Sequence, residues 1–265
     1  MKWKGPGAPK GTFRTFLERA GAKEAPRRQN GNCGREMIRT VIFDVDDTLY
    51  SFHDADVHAK DALIAYTNEM FGWSGEEFMR RHKAAFEEIL GVCGRSGGLR
   101  TRLIRYQTIL ERAGKPIHPH AMRMDGIYWE TLLADIVPNE GVPEFMAYLK
   151  DRGIRIGIGS DAIALQQFSK LEKLGLMGFV DFMVTSEEVD IEKPAAHFFD
   201  RCLEKSGCLR EEIVFIGDRF DKDYTGAVNA GFHAVLFDPE GRAPEEAKAV
   251  LHSFRDAAAL IAQWE

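Results

Sequence analysis

No stretch of the chain runs about 18 apolar residues, the length a membrane-spanning helix needs, so no transmembrane segment is expected. No apolar segment of signal-peptide type precedes the first predicted strand. Cysteine is scarce: Cys33, Cys93, Cys202 and Cys208 form no Cys-x-x-Cys pair and have no matching histidine spacing. That argues for free thiols in a reducing compartment, hence a cytoplasmic protein. There is no internal repeat, so repeat architectures drop out. A net positive balance is confined to one end of the chain. Residues 1–36 hold nine Lys/Arg and three Glu, a net of +6, so the remainder carries −12 of the formal −6. An acidic body argues against a nucleic-acid partner and suits a protein that keeps a divalent cation.

What is present divides into three parts. Residues 1–38 form a basic, Gly/Pro-rich extension with too few apolar residues for a core, predicted to be disordered apart from a short helical stretch through Phe13, Phe16 and Leu17. Met37, directly before the first strand, reads as the natural start. Residues 39–52 and 138–265 read as an α/β core, and residues 53–137 as an inserted helical bundle. The bundle is drawn from four amphipathic patterns: Leu63, Tyr66 and Met70 closed by Gly72; Phe78, His82, Phe86 and Ile89; Leu99, Leu103, Tyr106 and Leu110; and Met122, Trp129, Leu132 and Ile136. From Pro138, helices alternate with strands at 154–159, 180–185, 213–217 and 233–237. This predicts right-handed crossovers and a doubly wound parallel sheet.

The first strand organises the chemistry. Val41-Ile42-Phe43 is a short buried run, and it ends in Asp44, Asp46 and Asp47. The plain reading is an acidic turn with Asp47 capping something local. Three further segments favour a stronger one. Strands also end at Ser160-Asp161 and at Asp218, Lys193 lies in a loop before a helix, and Asp223 follows Asp218 across one loop. A parallel sheet brings such ends to its C-terminal edge, where ligands bind. Nucleophile, acid/base, cation, hydroxyl and metal carboxylates together are what phosphoryl transfer to a carboxylate needs.

These residues resemble the four motifs of the haloacid dehalogenase superfamily, in the family's order across about residues 39–240. Asp44-Val45-Asp46-Asp47-Thr48 matches Asp-x-Asp-x-Thr, Ser160 the second motif, Lys193 the third, and Gly217-Asp218 to Asp223 the fourth. The resemblance implies a Rossmann-like core with a helical cap. It also implies a Mg2+-dependent phosphatase acting on a small phosphorylated metabolite, with no nucleic-acid or membrane partner. In that scheme Asp44 is the nucleophile and Asp46 the acid/base, its side chain free because it meets the metal only through its carbonyl. Thr48, Ser160, Asp161 and Lys193 serve the substrate. Asp44, Asp46, Asp218 and Asp223 serve the metal. The chain departs from the family pattern at Asp161, where Asn is frequent, at Ala195, where Asp is frequent, and at Arg219, where a small polar residue is common.

A phosphomutase shares the Asp-x-Asp pair and stays open. Dehalogenases lack the second acid, which Asp46 supplies here, and a non-catalytic module would have lost a catalytic group. Outside the motifs, His53, His58, His82, His118 and His120 lack ligand spacing and read as surface or packing residues. Arg95, Arg100, Arg102 and Arg105 read as a solvated helix face. The alternative is one substrate anchor among them, with Arg100 and Arg105 as candidates.

Overall fold

The computed structural model describes residues 37–94 and 97–264. The expectations for residues 1–36 and for Arg95 lie outside them. The chain enters the sheet at Thr40–Phe43 (β1). It then leaves for Phe52–Phe71 (α1), Gly75–Cys93 (α2), Gly97–Arg100 (α3), Arg102–Arg112 (α4) and His120–Asp135 (α5). The alternating part follows as Val142–Asp151 (α6), Arg155–Ser160 (β2), Ala164–Lys173 (α7), Phe182–Thr185 (β3), Ser186–Val189 (α8) and Ala196–Ser206 (α9). It continues through Ile213–Gly217 (β4), Thr225–Asn229 (α10), His233–Phe237 (β5), Val250–Leu251 (β6) and Ala257–Ile261 (α11).

The strands form one parallel sheet in the order β3-β2-β1-β4-β5-β6. β1 lies inside it, with Phe43 in register with Ile158 on one side and Ile216 on the other. Its alternation feeds two cores. Val41 and Phe43 join the cluster that contains Phe145 and Leu149 of α6, where the Phe43 and Phe145 rings meet edge-on at 6.0 Å. Ile42 joins the cluster containing Phe198 and Phe199 of α9 and Ala227 of α10. Helices on both faces bury the sheet, as a doubly wound fold requires.

The helices between β1 and β2 have ordinary local causes. Gly72 ends α1 in the left-handed region, its N–H donating to Asn68 O. Ser74 caps α2 by accepting from the Glu77 N–H at 3.1 Å. The third amphipathic pattern is two helices, because Thr101 adopts an extended backbone between Arg100 and Arg102. In α5 the inner face is Ala121, Met124, Tyr128 and Leu132, while Met122 is 64% exposed. The expected stripe began on the wrong residue: spacings of 3, 4 and 4 from Ala121 follow the helix, and Met122 does not share that face. β6 was not expected, since two residues carry no periodic signal. Among the described residues no helix is long and apolar enough to cross a membrane.

Candidate active site

β1 stays in the ladder for one residue past its apolar run: the Asp44 N–H donates to Ile216 O at 2.8 Å. Alternation puts the Asp44 side chain on the Ile42 face. Lys193 arrives on that face, its Nζ 5.8 and 5.4 Å from the Phe198 and Phe215 ring centres. Lys193 Nζ donates to Asp44 Oδ1 at 2.9 Å and to Gly159 O at 3.0 Å, and pairs with Asp223 Oδ1 at 2.6 Å. Asp223 sits in a π-helical turn, Phe220–Tyr224, in which the Tyr224 N–H reaches back five residues to Arg219 O. Gly217 makes room for it. A Cβ at residue 217 would stand 2.4 Å from Asp223 Cγ.

Asp44, Asp218 and Asp223 each bring a carboxylate oxygen within 4.8 Å of the other two. Burial, then Asp223, outweigh the pull of Lys193 and push the Asp44 carboxyl up to about 7. Burial, Asp44, Asp223 and Asp47 push Asp218 up to about 8. Burial works against the Lys193 ammonium, but Asp223 and Asp44 hold it above the usual lysine range. Three crowded carboxylates thus share one ammonium, and two of them resist ionising. This hard-oxygen donor set, short of positive charge, fits a divalent cation.

The remaining sequence-selected residues take several roles. Asp46 lies outside that carboxylate set, and its side chain is not free. It accepts from Lys170 Nζ at 2.6 and 2.9 Å, from Tyr50 Oη at 2.5 Å and from Gln167 Nε2 at 3.3 Å. Burial would raise its carboxyl, but Lys170, Tyr50 and Gln167 hold it below the usual value. Ser160 is buried, lines the cavity, and accepts from Gln167 Nε2 at 2.8 Å. Asp161 lines the cavity with both oxygens committed, one accepting from the Lys193 N–H and the other from Lys222 Nζ. Thr48 does not face the cavity. It is fully buried and its Oγ1 donates to Asp218 Oδ1 at 3.5 Å. Asp47 adopts φ 58° and caps α1, accepting from the His53 N–H at 3.0 Å.

Lys170, Gln167 and Tyr50 were missed by the sequence reading. A signal existed: Gln167 and Lys170 are buried beside Leu171 on the inner face of α7, polar residues within an apolar stripe. The arginines also sort differently. Arg105 is directed inward, donating to His82 Nε2 at 3.3 Å and lying 4.9 Å from the Phe86 ring centre, away from the cavity lining. Burial and Arg105 push His82 down to about 3, so it stays neutral and accepts that bond. Arg100 and Arg102 do line the cavity, a space of about 250 Å³ that they share with Asp44, Asp46, Ser160 and Lys193. Arg100 pairs with Glu192 at 2.7 Å, Glu192 with Lys222 at 3.0 Å, and Lys222 with Asp161 at 2.7 Å, a ladder of charges from α3 to the Lys193 loop.

Residues 38–231 match the family model described as haloacid dehalogenase-like hydrolase. The ribulose-1,5-bisphosphate 5-phosphatase of Halopiger xanaduensis is 31% identical over 205 residues, covering 77% of this chain and 86% of that protein. The glyceraldehyde 3-phosphate phosphatase of Methanothermobacter thermautotrophicus is also 31% identical, covering 77% and 87%. Among solved structures, a 2-haloacid dehalogenase from Pseudomonas syringae superposes with a TM-score of 0.69 at 24% identity, covering 86% of this chain and 100% of that one. A HAD phosphatase from Thermococcus onnurineus gives 0.65 at 18%, covering 84% and 98%. At those identities the two structures speak to the fold alone.

Proposed function

Because this chain belongs to the haloacid dehalogenase-like hydrolases, we propose that it is a Mg2+-dependent phosphatase of a small phosphorylated metabolite. The carrying observation is Asp44, held between Lys193 and the Asp218/Asp223 carboxylates, with a second acid two residues on. The two relatives at 31% identity, both named as phosphatases of sugar phosphates, support the substrate class.

In this reading an Asp44 oxygen attacks phosphorus while the bond to the leaving oxygen breaks, giving an aspartyl phosphate. Ser160 and Lys193 hold the phosphoryl oxygens. Asp44, Asp218 and Asp223, with the Asp46 carbonyl, would hold Mg2+, which supplies charge neutralisation on those oxygens. The leaving oxygen needs a proton, which Asp46 passes on from the Lys170 ammonium bonded to both its oxygens. Water then attacks phosphorus, the aspartyl bond breaks, and the water's proton returns to that pair. Thr48 orients Asp218, and Asp161 orients the Lys193 loop. Helices α1 to α5 act as a cap that excludes water and meets the leaving group. The three cysteines among the described residues are free thiols, and burial pushes Cys202 up to about 12. Free thiols suit a cytoplasmic enzyme.

A panel of phosphate esters tests the reading. Hydrolysis is expected with Mg2+, none with chelator, and inhibition by Ca2+, whose larger and looser shell misplaces the nucleophile. Full hydrolysis in EDTA would overturn it.

The raised carboxyls give a second test that does not depend on activity. Without metal, the stability from Asp44 and Asp218 is fully present below about pH 4 and is lost as pH rises through about 7 and about 8. Metal competes with those protons, so the Tm gain on adding Mg2+ is expected to be larger at pH 8 than at pH 5. At a hundredfold excess over Kd, the gain is about 2.7 kcal/mol. An equal shift at both pH values would remove these carboxylates from the metal site.

A further inference from the structure

The cavity has two walls. The sheet contributes Asp44, Ser160 and Lys193, and the helical insertion contributes Phe52, Arg100 and Arg102. A phosphoryl group seated at Asp44 leaves the rest of the ester facing the second wall. The cations around the cavity are not equivalent. Lys193 is committed to Asp44 and Asp223, Lys170 to Asp46, Lys222 to Asp161 and Glu192, Arg100 to Glu192, and Arg219 to Asp221.

Arg102 differs from them. Its Nη2 donates to Tyr128 Oη at 2.6 Å and stands 3.6 Å from Asp56 Oδ1. Asp56 is already held by Lys60 and by the Tyr128 hydroxyl. Among the described residues these are the polar partners of a group with five N–H donors, so donors remain. The side chain is only 15% exposed. The Tyr128 and Trp129 rings fix the guanidinium in place, with centres 4.1 and 5.0 Å from it. A cation held this way, sheltered and with its nearest carboxylate 3.6 Å away and shared with two other donors, is further stabilised by an anion from outside. Its planar fork matches a carboxylate or phosphate in two-point contact.

We propose that Arg102 binds a second anionic group, carboxylate or phosphate, on the leaving group of the substrate. The preferred substrate is then a small phosphate monoester that carries two anions. The cavity volume keeps that molecule small, since ligand pockets usually start near 300 Å³. This inference rests on the phosphatase reading above.

The test is steady-state kinetics of wild type, Arg102→Met and Arg102→Lys. The substrates are glycerol phosphate, with a neutral leaving group, phosphoglycerate, with a carboxylate, and a sugar bisphosphate. Wild type is expected to favour one or both doubly anionic esters, and which one identifies the anion. In Arg102→Met the ratio of kcat/KM for that ester to kcat/KM for glycerol phosphate should fall roughly 10- to 100-fold, mostly through KM. Arg102→Lys, which keeps the charge and loses the fork, should fall between the two. Equal losses on all esters would reduce Arg102 to packing and overturn the inference. A wild type that hydrolyses glycerol phosphate as well as the others also overturns it, with no variant needed, and leaves the phosphatase reading standing. Hydrolysis of none of the three takes down both.

Discussion

Asp44→Asn is expected to lose turnover down to the background rate. Phosphate-ester hydrolysis is among the slowest uncatalysed reactions, so little remains once the nucleophile is gone. Removing a covalent nucleophile elsewhere costs roughly a millionfold in kcat, and a loss of that order is expected here. The fold should tolerate the change. Asparagine is nearly isosteric, and Lys193 keeps its pairing with Asp223 and its bond to Gly159 O. The variant should therefore fold and bind substrate while forming no covalent adduct. Intact-protein mass spectrometry after acid quenching reads this directly. Wild type should show an added phosphoryl group under turnover and Asp44→Asn none. Labelling of the variant to the wild-type level would assign the nucleophile elsewhere.

Asp46→Asn should retain the nucleophile and lose proton transfer, a cost of roughly 10² to 10⁴-fold for each affected step. Esters with good leaving groups need no proton to depart, so the variant should phosphorylate itself on an aryl phosphate and then stall. The same mass measurement would find it labelled, the reverse of Asp44→Asn. The contacts around Asp46 add a companion, Lys170→Met. Lys170 Nζ touches both Asp46 oxygens, so its loss removes the proton that the pair delivers to the leaving oxygen. Lys170→Met should show the same dependence on leaving group in weaker form. Wild-type turnover of a poor-leaving-group ester by Asp46→Asn would remove Asp46 from proton transfer. A Lys170→Met variant equally impaired on every ester would restrict Lys170 to structural support.

The parts of this molecule legible in its sequence are those written in contiguous residues. β1 announces itself because a buried apolar run stops at Asp44, and β4 because Ile213–Gly217 does the same at Asp218. Gly72 marks the end of α1 through its own backbone. What escaped depends on which residues meet in space. Lys170 follows Asp46 by more than a hundred residues, and nothing in the pattern of α7 says where its inner face lands. The arginines show the same limit. Arg102 and Arg105 are three apart on one helix, yet Arg105 turns into the bundle toward His82 and Phe86 while Arg102 reaches the cavity. Helical spacing places both near one side and cannot say which is at the edge of that side.

The position of β1 has a consequence in time. Among the described residues it is the first strand made, yet it lies inside the sheet, and both its neighbours come later, β4 only after the whole helical insertion and two more strands. At about 5 to 20 residues per second, synthesis takes roughly ten to forty seconds to run from Asp44 to Asp223. Until β4 is made, the strand that ends at Asp44 has at least one open edge. The charge cluster is complete only when Asp218 and Asp223, which follow β4, join Asp44 and Lys193. The newborn chain therefore lacks the full cluster until residue 223 has been made.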